Sequence, residues 1–175
     1  VTPTPTSSQD NFLEERFICF AYRYRYADGE YSATSQWSKP AFLPNTFRYD
    51  FSTALNSGMI GAANMAVVSY NSGGPLVKSV ELLFKEMEFP TIRVIEKINK
   101  STQGLADNTN YTYEFQNSQI FTILADTEIL RLYDNVPRLA KAQTMMGNRL
   151  MFGNYVDGYD MEDLAGSPVR LEYSV

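Results

Sequence analysis

Two pairs of neighbouring carboxylates, Glu14-Glu15 and Glu86/Glu88, are the first residues with catalytic chemistry open to them. Two carboxyls facing across a cleft can serve as acid and base on a glycosidic bond. Nothing in the spacing places these pairs so, and adjacent acids on linkers or strand ends are ordinarily solvated. Asp157, Asp160, Glu162 and Asp163 gather enough oxygen for Ca²⁺. Their spacing departs from an EF-hand loop, and a solvated acidic loop is the plainer reading. The chain has no His, which removes the usual general base, the usual zinc ligand and the Ser-His-Asp triad together. Its one cysteine, Cys19, excludes an internal disulfide and any multi-cysteine metal site, and mid-strand it reads as a small buried hydrophobe. We therefore expect no catalysis, no cofactor and no metal.

The aromatic residues carry more information. Tyr22, Tyr24, Tyr26 and Trp37 could form a platform on which a sugar stacks, but aromatics at alternate positions of one strand are also what a sandwich core or an interface requires. The segment Arg16–Ser38 reads RFICFAYRYRYADGEYSATSQWS. Ile18, Phe20, Tyr22, Tyr24 and Tyr26 alternate with Cys19, Ala21, Arg23 and Arg25, a period of two that predicts a strand. Asp28-Gly29 signals a tight turn, and Tyr31 to Trp37 is expected to return as a Ser/Thr-rich strand.

These residues need a scaffold, and the composition supplies one. The 175 residues are 44% hydrophobic and 20% charged, with twelve Tyr and eleven Phe, enough for a core of strands. No apolar run approaches the roughly twenty residues of a membrane helix. The formal net charge is −5; an acidic surface lacks the cations that nucleic-acid binding requires, although a backbone could slide past it. The chain starts at Val1 and closes on a strand-like 169–175, so we expect an internal piece of a longer polypeptide.

Four regions follow. Residues 1–11, rich in Pro, Thr and Ser, read as a linker or a strand-edge lead-in. Residues 12–55 hold the aromatic hairpin and a short strand at 46–51. Residues 64–135 hold a second β unit: strands at 65–70, 77–86, 91–99, 111–115 and 120–124, then a short helix or loop at 126–134. The Gly-bearing break between Phe51 and Met65 is expected to divide two sandwich-like units. Residues 136–175 carry a further hairpin and the start of another β region. Val80, Leu82 and Phe84 share one face of their strand, Ile92, Val94 and Ile98 one face of the next. Phe20, Tyr22, Val80, Leu82, Phe84 and Val94 are the expected core. The fold class is all-β, with immunoglobulin or fibronectin type III-like sandwich units and short helices at most.

Gly147-Asn148 between apolar flanks predicts a two-residue hairpin turn. Arg149 and Tyr155 flank that turn and the Gly153-Asn154 kink, where they could pin the corner against a neighbouring domain or subunit. A local pairing of Arg149 with Asp134 is the simpler alternative. Met145, Met146, Leu150, Met151 and Phe152 give both arms more apolar surface than one hairpin can bury. Gly147, Asn148, Arg149, Met151, Phe152 and Tyr155 are thus candidate interface residues. Asn99-Lys100-Ser101 and Asn110-Tyr111-Thr112 match the glycosylation acceptor pattern and carry little weight alone.

Two stretches, FAYRYRYADGEYS with WSKPAF and LYDNVPRLAKAQTMMGNRLMFGNYVDGYD, resemble elements of phage virion proteins. The first is similar to a fibronectin-type hairpin. The second is similar to an element of the tail nozzle, muzzle or packaged-DNA-stabilisation proteins of short-tailed, crAss-like phages. The resemblance covers Phe12–Phe42 and Leu132–Asp160. It implies a structural virion protein forming a homo-oligomeric ring with other tail proteins, located in the phage tail. Such a ring retains packaged DNA and becomes its exit channel, without sequence-specific binding, membrane contact or catalysis. The alternative is a fibronectin-like binding module of a bacterial surface protein or adhesin.

Overall fold

A computed structural model describes residues 2–4, 11–60, 62–131 and 133–156. The chain divides into one unit up to Asp134 and a second from Asn135. The first unit is all-β apart from single helical turns. Its strands are β1 (Thr2–Thr4), β2 (Ile18–Tyr26), β3 (Tyr49–Asp50), β4 (Leu55–Asn56), β5 (Met65–Asn71), β6 (Val77–Glu86), β7 (Ile92–Asn99), β8 (Asn110–Phe115) and β9 (Thr122–Ile123). Two four-residue helices, α1 (Lys100–Gln103) and α2 (Asp126–Ile129), and a 3₁₀ turn at Ser57–Met59 complete it. The second unit has β10 (Leu139–Met146) and β11 (Arg149–Val156).

Two antiparallel sheets face each other, β1-β5-β8 and β2-β6-β7-β9. Phe20 of β2 and Phe84 of β6 meet Phe115 of β8 at ring distances of 5.1 and 5.0 Å. Around them Val80, Leu82, Ala66, Val68 and Ile98 are buried. Five of the six expected core residues are buried; Tyr22 is half-buried.

The expected divide between Phe51 and Met65 is not a domain boundary. β2 pairs with β6 along its length, from Ile18↔Glu86 to Tyr26↔Val77, so the aromatic strand and the second β unit complete one sheet. The Gly-bearing break does not divide two units; it belongs to the β3–β4 excursion between two members of one sandwich. The lead-in at 1–11 also contributes structure, since Thr2–Thr4 pairs with Met65–Val67.

On β7 the pleat does not keep the expected single parity. The partner of Leu82 is Glu96 and that of Leu83 is Val94, so Ile95 is an extra residue, a β-bulge. A bulge shifts parity by one. Ile98 therefore faces the inter-sheet core, while Ile92 and Val94 join Ala21, Leu83 and Leu124 in a second cluster on the outer face. Trp37 and Ile129 pack against that cluster. Under that cover β6 does not keep a polar face in water: Glu81 is 1% exposed and Leu83 0%.

The return from the Asp28-Gly29 turn is not a strand. Beyond a single bridge at Tyr31, contact with β2 follows a three-residue repeat. The N–H groups of Ser32, Ser35 and Ser38 donate to the carbonyls of Tyr24, Tyr22 and Phe20 at 2.8–2.9 Å. Each serine Oγ accepts the N–H of that same β2 residue, at 2.9–3.0 Å. Each hydroxyl then donates to the next carbonyl, of Ala33, Gln36 or Lys39. Three residues thus keep step with two of β2, so the segment rises only about 2.2 Å per residue against about 3.3 Å for a strand.

Candidate assembly surface

The hairpin of the second unit pairs in unbroken register from Leu139↔Val156 to Met146↔Arg149. Gly147 and Asn148 have φ of +57° and +61°, the two positive values that a type I′ turn demands and that these residues tolerate. A Cβ at Gly147 would meet no atom within 4 Å, so the constraint there is backbone conformation rather than space. Asn154 is also left-handed, at φ +47°, the expected kink.

Opposed residues share a face. Gln143↔Phe152 and Met145↔Leu150 lie on one side; Ala142↔Gly153 and Thr144↔Met151 lie on the other. Both sides are open: Met145 is 75% exposed, Phe152 59%, Tyr155 57% and Met151 46%. Two strands alone are marginally stable and need a covered apolar face. The guanidinium of Arg138 sits 6.0 Å over the Tyr155 ring, a cation–π contact at the margin of range. Within the first unit, Asp134 accepts the Tyr26 hydroxyl at 2.6 Å. The six candidate residues therefore do fall on one hairpin, around its turn and kink.

The charge of this ribbon was missed in the sequence because the chain average hides it. Arg138, Lys141 and Arg149 are the only charged residues between positions 135 and 156. Residues 11–134 carry eleven Lys and Arg against fourteen Asp and Glu, a net −3. An acid-free cationic ribbon thus follows an acidic body.

A second exposed apolar feature was also missed. The short β3–β4 hairpin presents Phe51 at 90% exposure and Phe47, Leu55 and Met59 above 60%. Tyr49 and Phe51 stack edge to face at 5.0 Å. Asp50 accepts from the Ser52 N–H and hydroxyl and the Thr53 hydroxyl, and these bonds hold its carboxyl below its ordinary range. A recess of about 800 Å³ joins Tyr49, Leu55, Met59 and Ile60 to Glu15 and Asp50. The signal was present as alternation at Phe47, Tyr49 and Phe51, but exposure of such a run is a tertiary property.

The other candidates are occupied. Glu86 is 7% exposed and bound by Arg16 and Arg93 at 2.7 and 2.8 Å. Burial pushes the Cys19 thiol up, with Lys85 opposing weakly, so it has little thiolate character. The four aromatics do not form one platform: Tyr24 bonds the Asn71 carbonyl between the sheets, whereas Trp37 packs on the outer cluster beneath Lys85, 4.5 Å above its ring. Asn99 caps α1 by accepting from Ser101 N–H. Among the described residues no three His, Cys, Asp or Glu side chains could hold a metal ion. Asp157, Asp160, Glu162 and Asp163, and the strand expected at 169–175, lie outside the described residues.

On the outer face of the sheet a buried ion network ties β2, β6 and β7 to α2. Arg23, 3% exposed, binds Glu81 at 2.7 Å and also reaches Glu128 of α2. Lys97 adds a contact to Glu81 at 3.1 Å, and the Arg23 guanidinium stacks 4.1 Å over Tyr31. Burial would raise the Glu81 carboxyl, but hydrogen bonds and charge from Arg23 and Lys97 outweigh it and hold the group below its ordinary range.

Comparison with protein-family models, with curated proteins and with solved structures finds no match to this chain.

Proposed function

We propose that the chain is a structural component of a phage tail ring of the nozzle or muzzle kind, whose work is shape and contact. The sandwich is the rigid body, and the β10–β11 ribbon is the element through which it assembles. The observation that carries this reading is the ribbon itself: an ordered I′ hairpin with Met, Phe, Leu and Tyr exposed on both faces. A two-stranded ribbon of that composition is stabilised by a neighbour. The resemblance of Leu132–Asp160 to tail proteins supplies the setting, and a ring in that setting would retain packaged DNA and form its exit channel.

Gly147→Val strains the turn, and Met151→Asp places a charge on an apolar face. Both are expected to reduce ring or particle assembly while the isolated chain keeps its far-UV circular dichroism and unfolding midpoint. Assembly equal to the parent's in both variants would defeat this reading.

A further inference from the structure

We propose that the β10–β11 ribbon docks on a second copy of this chain, in the recess beside its β3–β4 hairpin. The inference rests on the assembly reading above and names the ribbon's partner. Three observations carry it. The ribbon and the β3–β4 hairpin are both ordered hairpins with large apolar side chains left in water: Phe152 and Met145 on one, Phe51 and Leu55 on the other. Each has surface that burial would stabilise. Their charges are opposite. The ribbon has Arg138, Lys141 and Arg149 with no acid, while Glu15 and Asp50 line the recess against one cation, Arg48, and Glu14 is exposed next to Glu15, so the acids outnumber the base there. The recess is also concave and apolar-floored, with about 800 Å³ between Tyr49, Leu55 and Met59, room for aromatic and methionine side chains.

Such a contact joins different surfaces on the two copies. A heterologous contact leaves one ribbon and one recess unused at the ends of every dimer, so it propagates until a ring closes or a filament grows. Complementary charge also sets the register and suppresses the like-with-like pairing of two cationic ribbons. The flexible thioether of Met145, on the same face of the ribbon as Phe152, can adapt to the recess floor.

The test uses the whole chain with Cys19 replaced by Ala. One preparation carries Leu55→Cys and another Phe152→Cys. Mixed and mildly oxidised, they are expected to form a cross-linked dimer that neither forms alone to a comparable extent. Lys141→Glu with Arg149→Glu in the ribbon copy should lower its yield about tenfold, and Glu14→Lys with Glu15→Lys in the other should restore it. Three results would overturn the proposal. One is no mixed dimer while Met151→Asp still blocks assembly, which leaves the assembly reading intact with another partner. A second is a chain given both Leu55→Cys and Phe152→Cys that cross-links only within itself and never to another copy. The third is a parent chain that stays monomeric at about 0.1 mM by sedimentation.

Discussion

Ser35 satisfies both backbone polar groups of Tyr22, donating its N–H to the Tyr22 carbonyl at 2.9 Å and accepting the Tyr22 N–H on its Oγ at 3.0 Å. A residue in a regular strand makes such an exchange with backbone alone. Here one side chain replaces a carbonyl that the contracted segment cannot bring into line. The consequence is an edge with no ladder beyond it. Edge strands invite pairing with other chains, and the Ser32-Ser35-Ser38 repeat closes β2 without creating a new strand edge.

Ser35→Ala should leave the Tyr22 N–H without its acceptor and cost about 1–2 kcal/mol in chemical denaturation, within the range for an unmade part-buried hydrogen bond. The Tyr22 amide should exchange faster with solvent. An unchanged midpoint and unchanged exchange would show that the backbone contact suffices.

Phe84 is fully buried, and its ring meets Phe115 at 5.0 Å and Phe121 at 4.8 Å. Phe84→Ala should destabilise the chain by about 3–5 kcal/mol through lost transfer energy and a residual cavity. Urea unfolding measures this, and a loss below about 1 kcal/mol would mean that the inter-sheet core is not built around this ring.

Arg23→Ala removes the main partner of the buried Glu81 carboxylate and leaves it only the largely exposed Lys97 and the Tyr31 hydroxyl, at 3.1 and 3.2 Å. The expected loss is about 3–5 kcal/mol. Replacing both partners by apolar residues, Arg23→Met with Glu81→Leu, should cost less than the single change, because the fully buried carboxylate is gone and the charges left over, Glu128 and Lys97, have access to water. A double variant as unstable as the sum of the two singles would contradict the coupling.

Stability should be flat near neutrality and fall on both sides. The Glu81 carboxyl is held below its ordinary value of 4.5 in the fold. Its contribution is therefore complete above about that pH and disappears as pH falls through the lower folded value. Burial raises the Cys19 thiol from 9.0 and the Tyr24, Tyr70 and Tyr113 hydroxyls from 10.0. Their neutral forms are favoured in the fold, so stability is present below those values and declines as pH rises past them. Unfolding midpoints from pH 3 to 11 would check both limbs; Glu81→Gln should flatten the acid limb.

The sequence by itself determined most of the long strands and two of the turns, but not the contracted return at 31–37 or the pairing of Thr2–Thr4. The stretch Val77–Glu86 was legible to the residue, and the Gly147-Asn148 turn was legible because only such residues accept two positive φ values. The exposed apolar character of that hairpin was legible for a local reason as well: one short hairpin carries more apolar surface than it can bury. Tertiary structure decided the rest. One bulge at Ile95 inverted the parity of half of β7, and a bulge has no reliable signature in an alternating run. Pairing of β2 with β6 across more than fifty residues erased the expected domain boundary, because strand partners depend on registers that no local pattern encodes. The cover of Trp37, Leu124 and Ile129 turned an expected wet face of β6 into a second core. Exposure of Phe47, Phe51 and Leu55 was invisible for the converse reason: an apolar run says that burial is favourable, and only the packed chain shows which runs it leaves uncovered.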